Sequence, residues 1–265
     1  MEKCMIVSID GHVAAPMAHY RNYLESKYHP AFDDFLELYT PLLEAAGPVS
    51  PPEYYFDAPV VAEYRERVID SGAVEGEWDP HRRIEVLESD GVVADVVFPN
   101  NAPFVLPNAL IPFEASGSSG PELLLAGQRA YNRWLVDFCS AYPDRIAGQA
   151  VISFGDIDSA VRQIEEARSS GLKGVLLPGM SAGEPLYWDP LYEPIWSACE
   201  EMGLPLNVHG GIGAPPYGDP SQLPPGVAVA VMGLEFPFFA RRALGVMIWS
   251  GVLERHPRLK LVFTE

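Results

Sequence analysis

The chain has 265 residues, of which 48% are hydrophobic, and its 36 acidic residues outnumber 18 basic ones to give a formal net charge of −18. The length and the apolar content suit one α/β domain with a sizeable core. The acidic excess excludes nucleic acid and an anionic membrane as partners, because binding to either requires clustered lysine and arginine.

Cysteine usage and hydropathy indicate the compartment. Cys4, Cys139 and Cys199 are widely spaced and form no CxxC pair, which is typical of a reducing environment without disulfides or a cysteine metal site. The N-terminus reaches a charge after too few apolar residues to be a signal peptide, and charges and a proline interrupt the most apolar late stretch. We therefore expect a cytoplasmic protein with a small-molecule substrate.

The first predicted strand is MIVSIDGHV, residues 5–13. Strand alternation places Ser8, Asp10 and His12 on one face. A carboxylate and an imidazole would then stand side by side where the strand ends. Taken alone, Asp10 followed by Gly11 is typical of a turn.

The segment after this strand, at about residues 14–78, is rich in aromatic residues and prolines. Long connections inside compact folds usually cover a site or are disordered, and the many tyrosines and phenylalanines favour a cover. We predict a long insertion with short helices, and not a separate domain.

From residue 79 onwards, predicted helices alternate with β-branched or apolar runs. One helix is predicted over residues 121–142. Asp156 or Asp158 can cap the next helix. Glycines, which favour the position just past a helix, close the predicted helices at Gly91, Gly171, Gly203 and Gly251. The predicted strands between them are VVADVVFPN, RIAGQAVISF, LKGVLLPG, PLNVHGG and LKLVFTE.

This alternation predicts an α/β fold with parallel strands covered by helices. Six strands can be counted, whereas a TIM-type (β/α)8 barrel has eight. We predict a single barrel domain over residues 1–265 that contains about six of the eight strands and is incomplete at its C-terminus. The rival is a six-stranded doubly wound sheet, for which the sequence shows no glycine-rich phosphate loop.

Polar side chains follow three of the predicted strands. Asp10 and His12 end the first strand, His209 ends PLNVHGG, and Glu265 ends LKLVFTE. In a parallel barrel the carboxyl ends of the strands meet at one mouth, where active sites lie. Imidazoles and carboxylates are ligands of Zn²⁺ or Mn²⁺, and three protein ligands leave a position open for water or substrate.

Each of these residues also has a structural interpretation. His12 and His209 can be hydrogen-bonded histidines without a metal, and a carboxylate at the position of Glu265 is usually solvated. We predict that His256, in ERHPRLK, lies at the surface. Lys173 stands at the beginning of LKGVLLPG and not at its end, which favours one metal ion over a lysine-bridged pair.

With these residues assembled, the sequence resembles the amidohydrolase-related family of the amidohydrolase superfamily, a group of metal-dependent barrels that includes aminocarboxymuconate-semialdehyde decarboxylase. The segments that carry the resemblance are YNRWLVDFCSAYPDRIAGQAVISFGDID, GLKGVLLPG, PLNVHGG and ARRALGVMIWSGVLERHPRLKLVFTE.

The resemblance implies roles for individual residues. Asp10 and His12 match the acidic-x-His ligands of the first strand, and His209 matches the ligand of the fifth strand. Glu265 replaces a sixth-strand histidine in the catalytic position. The family's last ligand, an aspartate on the eighth strand, has no counterpart in the chain.

Three further residues are predicted to contact the substrate: Phe98 and Asn100 at the end of VVADVVFPN, and Asn207 in PLNVHGG. For Phe98 and Asn100 a role in the core is the alternative, because an aromatic-rich pocket and a packed core look alike in sequence.

The resemblance implies a decarboxylase or a hydrolase with one divalent ion, Zn²⁺ or Mn²⁺, that acts on a small carboxylated or cyclic organic substrate, with decarboxylation ahead. A homodimer is one assembly that it leaves open. The alternatives are a catalytically incomplete fragment and a non-catalytic barrel that binds a small ligand.

Overall fold

A computed structural model of the chain describes residues 4–46, 57–105, 120–178, 185–209, 227 and 241–264. Contacts divide the chain into two compact units, Met1–Ile146 and Ala147–Glu265. The single-domain organisation expected from the sequence stays a prediction.

The first unit contains two parallel strands, β1 (Ile6–Val13) and β2 (Val92–Pro99). Its helices are α1 (His29–Ala46), α2 (Ala58–Tyr64), α3 (Pro80–Ser89) and α4 (Pro121–Ser140). Shorter turns of 3₁₀ helix cover Met17–Asn22, Ser26–Tyr28 and Ala73–Glu77, and a π-helical segment covers Arg65–Asp70.

The described part of the insertion is helical, as predicted, although α1 has 18 residues and is longer than expected. Phe32, Phe35 and Tyr39 of α1 follow helical spacing and are buried. The ring of Phe32 lies 5.6 Å from that of Phe104, in the loop after β2. The insertion therefore packs as part of the aromatic core of this unit.

The second unit contains four parallel strands in the order β3 (Ile146–Val151), β4 (Gly174–Leu176), β5 (Leu206–His209) and β6 (Leu261–Thr264). The first residue of β3 is the last residue of the first unit. The helices of the second unit are α5 (Ile157–Ser169), α6 (Glu193–Met202) and α7 (Val252–Arg255), together with a 3₁₀ turn (Pro190–Tyr192) and helical residues 241–249.

The helix signals in the sequence act as predicted in this unit. Asp156 caps α5 by accepting a hydrogen bond from the backbone N–H of Ser159 at 3.2 Å. Gly203 ends α6 with φ of 67°, a left-handed conformation that favours glycine. The helices cover the sheet with buried apolar side chains such as Ile164, Ile195 and Trp196. Within the described ranges, no helix combines the length and apolarity needed to cross a bilayer.

Candidate functional site

The end of β1 brings Asp10 and His12 together, as predicted. His12 Nε2 lies 3.9 Å from Asp10 Oδ1, and the two side chains are 37% and 46% exposed. This separation is too long for a hydrogen bond. It is compatible with two ligand atoms on one cation, since metal–ligand bonds to nitrogen and oxygen are about 2.0–2.2 Å long.

β1 has the predicted extent but not the predicted regular alternation. The strand runs through Gly11 to Val13, so the alternative of a turn at Asp10 and Gly11 is wrong. Between Ser8 and Gly11, β1 advances three residues while β2 advances two, which is a β-bulge. The extra residue breaks the simple alternation from Ser8 to His12 that the sequence suggested, and bulges of this kind often re-aim side chains beside active sites.

A buried ion pair supports this strand end. Arg83 of α3 donates from Nε and Nη2 to Asp95 Oδ2 on β2, at 2.9 and 2.5 Å. Arg83 Nη1 donates to the carbonyl oxygen of His12 at 3.0 Å. The Asp95 side chain is fully buried and that of Arg83 is 16% exposed.

Gly11 is required by this ion pair. A Cβ atom built on Gly11 would lie 2.5 Å from Arg83 Nη2 and at least as close to both carboxylate oxygens of Asp95. Sequence reasoning missed Arg83 and Asp95. One signal was present, because an aspartate inside the apolar run VVADVVFPN needs a buried partner.

Two of the predicted substrate contacts lie at the end of β2 and just after it. Phe98 pairs with His12 in the β1–β2 register and is fully buried. Asn100 is exposed, and its side-chain amide donates to the carboxylate of Glu77. Glu77 was missed from sequence. Burial raises the pKa of its carboxyl group, and the hydrogen bond from Asn100 partly opposes that shift.

The second unit carries the other predicted ligand, His209, as the last residue of β5. Two residues earlier, Asn207 is buried and donates to Gln149 Oε1 on β3 at 2.5 Å and to the carbonyl of Pro205 at 3.2 Å. Gly174 lies between these strands on β4, where a Cβ would come within 2.6 Å of Asn207 Nδ2. Asn207 therefore has protein partners, and its contact with a substrate stays a prediction.

The strand register puts Thr264 of β6 beside His209. Thr264 is buried, and its hydroxyl has no hydrogen-bond partner among the described residues. Sequence reasoning passed over this residue in favour of Glu265. Glu265 itself lies outside the described residues, so its catalytic role stays a prediction.

Two remaining expectations can be compared with the structure. Lys173 precedes β4, at the end of the strand away from Leu176, as predicted. The prediction that His256 lies at the surface is wrong, because its side chain is only 9% exposed. His256 Nε2 donates to Glu193 Oε2 at 2.7 Å, and Nδ1 lies 3.6 Å from Glu200 Oε2.

Comparisons with known proteins find similar decarboxylases. The gamma-resorcylate decarboxylase of Rhizobium radiobacter is 30% identical over 145 residues, which cover 51% of this chain and 42% of the relative. A solved structure of 2,6-dihydroxybenzoate decarboxylase in complex with 2,6-dihydroxybenzoate superposes with a TM-score of 0.56 at 19% identity, over 98% of this chain and 67% of that one.

A third relative contains a metal. The structure of a dihydroxybenzoic acid decarboxylase from Polaromonas sp. JS666, with bound manganese and the inhibitor 2-nitroresorcinol, has a TM-score of 0.53 at 18% identity and covers 98% of this chain and 65% of that chain. The structural similarities confirm the predicted fold class, the α/β TIM-type barrel, in which this chain supplies six parallel strands.

The comparisons also define how far the likeness extends. The chain spans less than half the length of the curated relatives that it matches. The profile of the family described as amidohydrolase matches residues 98–265, which is more than half of the chain. Together with the parallel strands and the polar residues at their ends, this match shows that the chain belongs to the amidohydrolase family.

Proposed function

We propose that the protein is a metal-dependent decarboxylase of a small aromatic hydroxycarboxylate. The observation that carries the proposal is the pairing of Asp10 and His12 at the end of β1, in a chain whose curated relatives are gamma-resorcylate decarboxylases. The relatives act on substrates of this class by their names, and family membership makes the same class the best candidate for this chain.

The proposed metal ligands are Asp10, His12 and His209. Each offers one atom that suits a divalent cation, a carboxylate oxygen or an imidazole nitrogen. A mixed oxygen and nitrogen set fits Mn²⁺ as well as Zn²⁺. We favour Mn²⁺, because manganese is bound in the decarboxylase from Polaromonas. When bound, the cation would act as a Lewis acid toward the oxygen atoms of the substrate.

The protein's own residues would orient the substrate and handle the proton. Phe98 lies near the end of β2, next to the strand that carries His12, and Asn100 follows the strand. They are the proposed contacts for an aromatic ring and a polar substituent. Loss of CO₂ from an aromatic carboxylate leaves a ring carbon that must gain a proton. Glu265 is the proposed donor of that proton, on the family resemblance of its position.

The test is an assay with 2,6-dihydroxybenzoate and Mn²⁺. We expect the 265-residue protein to convert the substrate into resorcinol and CO₂, which chromatography and trapping of CO₂ detect separately. Asp10→Ala should abolish the reaction, and Glu265→Gln should slow it while Mn²⁺ remains bound.

Two results would refute the proposal. One is a manganese-loaded protein that leaves a panel of hydroxybenzoates unchanged, which favours a catalytically incomplete fragment or a ligand-binding role. The other is hydrolysis of lactones in place of decarboxylation, which would assign the chain to the hydrolytic members of its family.

A further inference from the structure

We propose that Arg83 is a positioning residue for the metal site: it fixes the end of β1 by binding the His12 carbonyl and the Asp95 carboxylate at the same time. The inference rests on the proposed function, because it assumes that Asp10 and His12 are metal ligands. It adds a residue from α3 that touches neither the ion nor the substrate.

The guanidinium group of Arg83 connects three elements. Its Nε and Nη2 hold Asp95 on β2, and its Nη1 reaches the backbone oxygen of His12 on β1 at 3.0 Å. A planar fork of five N–H donors can make these bonds in one rigid arrangement, whereas a lysine ammonium is a single point on a flexible stem. The bond to the His12 carbonyl restrains the backbone that carries the imidazole.

Asp95 is itself held in place. Its backbone N–H donates to the carbonyl of Arg145 at 2.8 Å, and its side chain is fully buried. The absence of a side chain on Gly11 leaves the space that the ion pair occupies. The charged group is therefore anchored on β2 and α3, and β1 lies against it.

The N-terminal part of β1 gives the end of the strand little support. Ile6, Val7 and Ile9 are 51%, 47% and 53% exposed, and β2 is the one strand that pairs with β1 in the described structure. A bulge interrupts the pairing between Ser8 and Gly11. Ligands must be held within about 0.5 Å of a productive geometry by their supporting residues. Arg83 bonds to β1 just beyond the bulge, where this support is needed.

The second unit offers a matched control. Arg255 donates from Nε and Nη2 to a single oxygen of Glu193, at 2.9 and 2.5 Å, and from Nη1 to the carbonyl of Ser250 at 2.9 Å. The donor and acceptor atoms correspond to those of Arg83, although the Arg255 and Glu193 side chains are more exposed, at 45% and 30%. Neither Glu193 nor Ser250 adjoins a proposed ligand. Arg255→Lys should therefore change stability without changing metal affinity.

The experiment titrates the 265-residue protein with Mn²⁺ and follows free Mn²⁺ by electron paramagnetic resonance, with circular dichroism to verify folding. Arg83→Lys should weaken Mn²⁺ binding about tenfold or more, the usual range for loss of a group that orients a ligand. Arg255→Lys should bind Mn²⁺ like the wild type.

A second variant separates positioning from folding. Arg83→Met combined with Asp95→Asn removes both charges and leaves no unpaired ion, so it should fold even if Arg83→Lys does not. It also lacks the donor to His12, and we expect the same weakened Mn²⁺ binding.

The outcomes distinguish the two proposals. If the wild type binds Mn²⁺ and the folded double variant binds it equally well, the positioning role is refuted while the metal site stands. If the wild type binds no Mn²⁺, the proposed function fails and the role of Arg83 fails with it.

Discussion

β1 and β5 each carry a histidine at the end of the strand, but a charged pair supports the first strand and a neutral pair the second. A buried ion pair, Arg83 with Asp95, lies behind β1. A neutral amide pair, Asn207 with Gln149, lies below His209 on β5. In both places a glycine leaves room for the polar pair, Gly11 in the first unit and Gly174 in the second.

The difference follows from what each pair has to hold. Arg83 bonds to the backbone of β1, a strand with exposed apolar residues and a bulge, and a charged fork gives a strong and directional bond there. β5 has a parallel neighbour on both sides, β4 and β6, so its backbone is already fixed. A neutral pair is sufficient where the sheet itself supplies the restraint.

The largest expected loss of stability comes from breaking the buried ion pair. Asp95→Ala leaves the Arg83 cation buried without its partner, and breaking a buried pair from one side costs about 3–5 kcal/mol. The free energy of unfolding of the first unit, measured in urea, should fall by that amount. Asp33→Ala is the control: the Arg21–Asp33 pair has similar distances but both side chains are exposed, so little change is expected.

A smaller loss of stability is expected from breaking the neutral Asn207–Gln149 pair. Asn207→Ala leaves the buried amide of Gln149 without its donor, at a cost of about 1–3 kcal/mol. Adding Gln149→Ala should cost less than the sum of the two single changes, because the second substitution removes the unpaired group. Additive losses would show that the two amides act independently.

Buried thiols allow each unit to be followed separately. Cys139 is buried in the first unit and Cys199 in the second, where burial raises the pKa of the Cys199 thiol to about 12. Each of the two thiols should react with a thiol reagent once its own unit unfolds. Asp95→Ala should therefore speed labelling of Cys139, and Asn207→Ala should speed labelling of Cys199.

The glycine of the second unit gives a further test. Gly174→Ala places a methyl group against both amides, and overpacking of this kind costs about 1–3 kcal/mol. Gly245→Ala, in the helical residues 241–249 with open space around the new Cβ, should instead stabilise by about 0.5–1 kcal/mol. Thermal unfolding of both variants measures the contrast. Equal effects would show that the close approach of Gly174 to the two amides does not matter for stability.

The smallest expected effect is acid sensitivity at Glu193. Hydrogen bonding to Arg255, reinforced by His256, holds the pKa of the Glu193 carboxyl below its ordinary value. The ionised group therefore stabilises the fold at pH above its unfolded pKa of about 4.3. That contribution is lost as the pH falls through the lowered pKa.

Urea unfolding across this pH range measures the effect. Glu193→Gln should make the free energy of unfolding of the second unit depend less on pH in the acid range. The neutral Asn207–Gln149 pair contributes no pH dependence of its own. An unchanged slope would show that other carboxylates dominate.

Much of the fold could be predicted from the sequence, because local signals determine it. Gly203 ends α6 and Asp156 caps α5 at the predicted places, and the apolar runs became parallel strands. Asp10 and His12 also lie together as predicted, although the bulge in β1 breaks the alternation on which that prediction was based.

The sequence could not show what packs behind the site. Arg83 bonds to a carbonyl 71 positions away, so no local pattern could connect it with His12. The bulge in β1 depends on pairing with β2, and the burial of His256 depends on Glu193, 63 positions away. These contacts are tertiary, and they override the propensities of the short segments that contain them.

The metal content of the purified chain tests the central claim most directly. After dialysis against Mn²⁺, we expect about one ion per chain in the wild type and in His19→Ala, an exposed-histidine control. Asp10→Ala, His12→Ala and His209→Ala should each lose the ion. Retention of one Mn²⁺ by all three variants, or no binding by the wild type, would contradict the claim that these residues share a metal.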